Sequence, residues 1–137
     1  MIVIDTHVLV WAVEGDPRLG ETASLMIEDA AANGRVLVPA IALWEIAMLV
    51  AKDRLALAQD IRTWTERVLE LDGIEIAPLA PSISLDAVSL PGTFHADPAD
   101  RMIVATARYY QATLLTADRQ ILAYAAAGHL IARDAQG

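Results

Sequence analysis

Short apolar runs rich in β-branched residues alternate with longer stretches of helical spacing, and this alternation most constrains the fold. Residues 2–4, 36–38, 74–77 and 113–115 read as strands, with 130–131 as a candidate fifth. Helical periodicity predicts helices over 21–32, 40–51, 59–71, 84–90, 98–112 and 117–127, and a further helix carrying 8–13 is expected after the first strand. Asp16-Pro17, Asn33-Gly34, Asp72-Gly73, Pro81-Ser82, Pro91-Gly92 and Asp97-Pro98 punctuate them. Strands apolar on both faces and separated by helices predict an α/β fold of three layers: a parallel sheet of four to five strands flanked by helices. Sites in such sheets form beyond the carboxyl ends of the strands. With 137 residues and no repeat or linker, one domain is expected over 1–137, the last few residues forming a tail.

Composition removes several function classes. There is no cysteine, so disulfides, thiolate metal sites and cysteine nucleophiles are excluded. The start, Met1-Ile2-Val3-Ile4-Asp5, does not read as a signal peptide, and no uncharged run is long enough to span a bilayer. A cytoplasmic protein without membrane contact is the expectation. Ten Lys plus Arg against eighteen Asp plus Glu leave a net charge of −8, which argues against binding driven by a broad basic face. The basic side chains are nearly all Arg; Lys52 is the single lysine.

The acids fall at informative places. Asp5 follows the first strand, where it can cap the next helix or project at the sheet edge. Glu45 is the only charge in residues 40–51. A buried Glu there needs an Arg, a hydrogen-bond network or a cation, unless it lies on a narrow exposed stripe. In His95-Ala96-Asp97-Pro98-Ala99-Asp100-Arg101, Pro98 suits the first helical position and makes Asp97 the natural N-cap. Asp100 then occupies the capping-box position, free to point toward Asp5. After the 113–115 strand, Thr116 is expected to cap a helix with Asp118 in its first turn. If these junctions share one edge, four carboxylates converge and require a cation. Oxygen donors without Cys or a zinc-like His pair select Mg²⁺ or Mn²⁺.

Four fragments carry a resemblance: Ile4-Asp5-Thr6-His7, Leu43-Trp44-Glu45-Ile46-Ala47, residues 95–107 from His95 to Ala107, and Leu114-Leu115-Thr116-Ala117-Asp118. In this order the chain resembles a PIN domain, and more narrowly the VapC-type ribonuclease toxins of bacterial toxin–antitoxin modules. The resemblance implies a metal-dependent endoribonuclease that hydrolyses RNA phosphodiesters, leaving a 5′-phosphate and a 3′-hydroxyl. It places Asp5, Glu45, Asp100 and Asp118 on the family's acidic positions as catalytic residues and as ligands of Mg²⁺ or Mn²⁺. Asp97 is a cap or supporting residue, Thr6 and Thr116 match hydroxyl positions near the cluster, and His7 is a candidate orienting group. Arg101, Arg119 and Lys52 are candidate phosphate contacts. Pro39, Ala42, Leu49 and Ala99 depart from the residues expected of close relatives, leaving the acids intact but altering the hydroxyl and basic groups near them. The resemblance also implies a small antitoxin inserting an Arg-bearing segment into the pocket, and a homodimer.

The alternative is a catalytically silent PIN-like module that binds RNA or protein. A receiver domain fits poorly, since one acid follows the first strand and the lysine lies within a helix. A haloacid-dehalogenase-type phosphatase fits poorly too, since His7 stands where a second Asp is needed.

Overall fold

The computed structural model describes residues Met1–Gly137. Five parallel strands, β1 (Ile2–Ile4), β2 (Val36–Pro39), β3 (Ile74–Ala77), β4 (Thr113–Thr116) and β5 (Ala132–Asp134), pair in the order β3-β2-β1-β4-β5. The helices are α1 (Thr6–Glu14), α2 (Glu21–Asn33), α3 (Ala40–Ala51), α4 (Ile61–Glu70), α5 (Pro81–Val88), α6 (Pro98–Tyr110) and α7 (Arg119–Ala126).

The pleat divides the strand side chains between two cores. Ile2, Ile4, Val36, Val38 and Leu115 face α1 to α4, where Leu9, Trp11, Ile46, Trp64 and Val68 are buried. Val3, Leu37 and Leu114 face α5, α6 and α7, meeting Ile83, Ile103, Val104 and Ile121. Both faces of the central strands are dry, which is why their sequences are continuously apolar.

The chain runs outward from β1 to β2 and β3, then returns through α5 and α6 to place β4 on the other side of β1. The sheet therefore switches direction between β1 and β4, and loops diverge there beyond the strand ends. The Asp5 N–H donates to the Leu115 carbonyl at 3.0 Å, fixing the two chains at this crevice.

Some boundaries differ from the sequence expectation. The fifth strand is Ala132–Asp134, not residues 130–131. Ile131 is largely exposed, so its apolarity marks no buried strand. α1 begins at Thr6, directly on Asp5, which takes the capping role the sequence offered it, and ends at Glu14, followed by Gly15, whose φ of 65° suits a residue without a Cβ. The last residues are packed. Ala135 is wholly buried, its carbonyl accepts from the Gly20 N–H at 2.7 Å, and the Gly137 carbonyl leaves no room for a Cβ at Gly20.

Candidate active site

A cavity of about 500 Å³ opens at the carboxyl edge of the sheet, lined by Asp5, Glu45, Asp97, Asp100 and Asp118 together with His7, Trp11, Arg18, Ala117 and Gln136. The four acids singled out from sequence thus meet in one place, delivered by four different segments. Asp5 comes from the end of β1, Glu45 from the second turn of α3, Asp100 from the first turn of α6, and Asp118 from the end of β4.

Asp5 is the most constrained. It is 7% exposed; its Oδ1 accepts the Thr6 N–H at 2.8 Å and its Oδ2 accepts the Thr116 hydroxyl at 2.6 Å. Burial pushes its carboxyl above the usual range, while these two hydrogen bonds pull the other way. The Thr116 Oγ1 in turn accepts the Asp118 N–H at 3.0 Å. One buried hydroxyl therefore ties the β1 acid to the β4 acid. This corrects the expected capping order: Thr116 does not cap α7. Asp118 is the N-cap, its Oδ1 accepting the N–H groups of Gln120 at 2.8 Å and Ile121 at 3.1 Å.

Asp97 caps α6 as its place before Pro98 predicts, accepting the Asp100 N–H at 3.0 Å. Asp100 itself accepts no backbone donor. Its carboxyl is pushed up to about 8, first by burial and then by repulsion from Asp5, Asp97, Asp118 and Glu45. Glu45 is half-buried and forms no ion pair with Arg or Lys. α3 buries only Ala42 and Ile46, and Trp44 is 58% exposed, so Glu45 is not the enclosed side chain its apolar neighbours suggest.

The donor set suits a hard divalent cation. Glu45, Asp97 and Asp100 offer ligand atoms within 4.8 Å of one another, as do His95, Asp100 and Asp118. Carboxylates this crowded repel each other, and an added positive charge relieves that repulsion.

The basic residues are placed differently from the sequence expectation. Arg101 turns away from the acids. Its guanidinium donates to the carbonyls of Ala87 at 2.7 Å, Phe94 at 3.1 Å, and His95 and Val88 at 3.2 Å. It secures the loop between α5 and α6, and no phosphate contact is left to it in this arrangement. Arg119 pairs with Asp134 at 2.7 Å, and Lys52 is exposed just past the end of α3; neither lines the cavity. His7 is exposed and on the cavity wall, whereas Thr6 is buried with its Oγ1 unpartnered.

Three residues were not legible as site residues. Arg18 lines the cavity, held bidentately by Asp16 (2.7 and 3.1 Å) with its guanidinium carbon 5.2 Å from the Trp11 ring centre. Gln136 reaches the cavity because the chain end docks on the loop containing Gly20. His95 stands against Asp100, with Nε2 3.2 Å from Oδ2. Nothing in the local sequence marks Arg18 or Gln136, which only the fold brings to the acids, while His95 heads the acid-bearing motif without having been assigned a role there.

Comparison with known proteins identifies the family and the fold. The PIN domain family matches residues 2–127. Ribonuclease VapC22 of Mycobacterium tuberculosis is 35% identical over 120 residues, covering 88% of each chain. The fold is shared with VapBC2 from Rickettsia felis, solved bound to a promoter DNA fragment (TM-score 0.71, 21% identity, 97% of this chain and 98% of that one). It is shared also with FitAcB from Neisseria gonorrhoeae (TM-score 0.66, 20% identity, 98% and 97%). With the family match spanning nearly the whole sequence, the chain belongs to the PIN domain family.

Proposed function

We propose that this protein is a metal-dependent endoribonuclease that hydrolyses RNA phosphodiester bonds and acts as the toxin of a toxin–antitoxin pair. The observation that carries the reading is the convergence of Asp5, Glu45, Asp100 and Asp118 on one cavity. The relative's name, a VapC ribonuclease, agrees with it. Structural neighbours that are VapBC and toxin–antitoxin complexes agree with a protein antitoxin as partner. Four acids in one pocket favour a cutting enzyme over a silent binding module.

Asp5, Glu45, Asp100 and Asp118 would hold Mg²⁺ or Mn²⁺. A divalent cation there supplies a more acidic water and neutralises charge on the phosphoryl oxygens. The protein's own contribution is to fix the acids before substrate arrives. Thr6 and Thr116 lock Asp5, the start of α7 locks Asp118, and Asp97 sets the first turn of α6 so that Asp100 faces them. Arg18 and Gln136, on the wall of the same cavity, are the donors we assign to RNA phosphate oxygens. No helix is long and apolar enough to cross a membrane. A cytoplasmic location and a homodimer complete the proposal.

The test is sequencing of RNA ends after brief induced expression, beside an Asp5→Asn control, with purified protein assayed in Mg²⁺ and in EDTA. The reading predicts new 5′-phosphate ends from the wild type only, and loss of cleavage in EDTA. Equal cleavage by Asp5→Asn, or cleavage that persists in EDTA, contradicts it.

A further inference from the structure

His95 presents a ring nitrogen to the acid cluster although it does not line the cavity itself. Its Nε2 is shut off from solvent and 3.2 Å from Asp100 Oδ2, yet the two are not aligned as a hydrogen bond and Nε2 has no other partner. The same atom lies within 4.8 Å of ligand atoms on both Asp100 and Asp118. Opposite ligands of a small octahedral cation lie about 4 Å apart, so these three donors can close on one ion with small adjustments.

The ring is also held in place by devices the acids do not need. The His95 carbonyl accepts from Arg101 at 3.2 Å, and Arg101 anchors the flanking Phe94 carbonyl at 3.1 Å as well. The imidazole packs on the Phe94 ring, with centroids 4.3 Å apart. A buried ring nitrogen without a hydrogen bond, fixed from both its backbone and its face, is what a preorganised ligand requires.

We propose that His95 is a direct ligand of the divalent cation, on the side of Asp100 that faces Asp118, and that Arg101 is the positioning residue that presents it. The inference rests on the metal-dependent reading above and adds a nitrogen to an otherwise all-oxygen set. Its consequence is selectivity: imidazole favours first-row transition ions, whereas Mg²⁺ prefers oxygen donors. The site is thereby biased toward Mn²⁺ and its heavier neighbours relative to Mg²⁺.

The experiment is electron spin-echo spectroscopy of the full chain loaded with Mn²⁺ in the absence of RNA, for the wild type, His95→Gln, His7→Gln and Arg101→Lys, with Mn²⁺ and Mg²⁺ affinities measured alongside by calorimetry. Wild type and His7→Gln are expected to show modulation from a directly bound imidazole nitrogen, and His95→Gln to lose it while keeping its fold by circular dichroism. Mn²⁺ affinity should fall about tenfold in His95→Gln, and Mg²⁺ affinity less. Arg101→Lys should keep Mn²⁺ but weaken the nitrogen signal. Bound Mn²⁺ without nitrogen modulation in the wild type overturns the assignment and leaves the nuclease reading intact. Modulation that disappears in His7→Gln and persists in His95→Gln overturns it as well. Failure of the wild type to bind either ion overturns both this inference and the metal-dependent reading.

Discussion

The acids of the cavity are of two kinds. Asp5, Asp97 and Asp118 each accept a backbone N–H at the start of a helix, so they serve the fold as well as the site. Glu45 and Asp100 accept no backbone donor, and Asp100 is raised to about 8 by burial and by the other acids. Asp97 and Asp118 cost the folded chain little, because a cap returns about 1 kcal/mol, whereas Asp5 is also buried deeply enough that its carboxyl is pushed up despite its hydrogen bonds. The second kind stabilises nothing without a cation. An acid that serves both purposes is ambiguous from sequence alone, while an acid that serves neither helix nor ion pair points to function.

Substitution can break this comparison in order of effect. Asp100→Asn and Asp118→Asn should each lower RNA cleavage by about 10²-fold or more, as removal of one stabilising group in a transition state does. Equal activity would remove that residue from the site. Thr116→Val leaves one Asp5 oxygen and the Asp118 N–H without their buried partner, and should cost about 1–3 kcal/mol in urea denaturation. Asp118→Ala should cost about 1 kcal/mol, and Asp118→Asn much less, because Asn also caps. Asp100→Asn should cost no stability in metal-free protein at neutral pH, in contrast to Asp118→Ala. A stability loss from Asp100→Asn as large as that from Asp118→Ala would erase the distinction.

The pH dependence sharpens it further. The folded chain binds the Asp100 proton more tightly than the unfolded chain, whose ordinary value is 3.8. The stability this group contributes is therefore fully present below about pH 4 and is lost as pH rises toward 8. Metal-free wild type and Asp100→Asn should melt together at pH 4, and the wild type should fall behind as pH rises. Parallel melting curves across that range would deny the raised value.

Much of the fold was legible because burial on both faces leaves a continuous apolar signature, as in residues 2–4 and 36–38. The fifth strand was misplaced for the same reason. Ala132–Asp134 includes exposed Arg133 and is held by ladder hydrogen bonds and edge contacts rather than by apolar burial, so hydrophobicity pointed to its neighbour. At the site, Asp5, Glu45, Asp100 and Asp118 were legible together through the family resemblance, since position alone leaves Asp5 and Asp118 open to a purely capping or helix-dipole role. Arg101 misled because consecutive residues on a helix point about 100° apart, so the neighbour of an active-site acid faces elsewhere. Arg18 and Gln136 were invisible because a loop and the chain end supply them, joined by the contact between Gly20 and Ala135.

The central claim is that a cation relieves the stress on the uncommitted acids. Its most direct test is thermal melting at pH 7.5 of wild type and Asp100→Asn, each with and without Mn²⁺. An ion at 100 times its dissociation constant should stabilise the wild type by about 2.7 kcal/mol. The account predicts a clear rise in wild-type melting temperature and a much smaller one in Asp100→Asn. No rise in the wild type, or the same rise in both proteins, would contradict it.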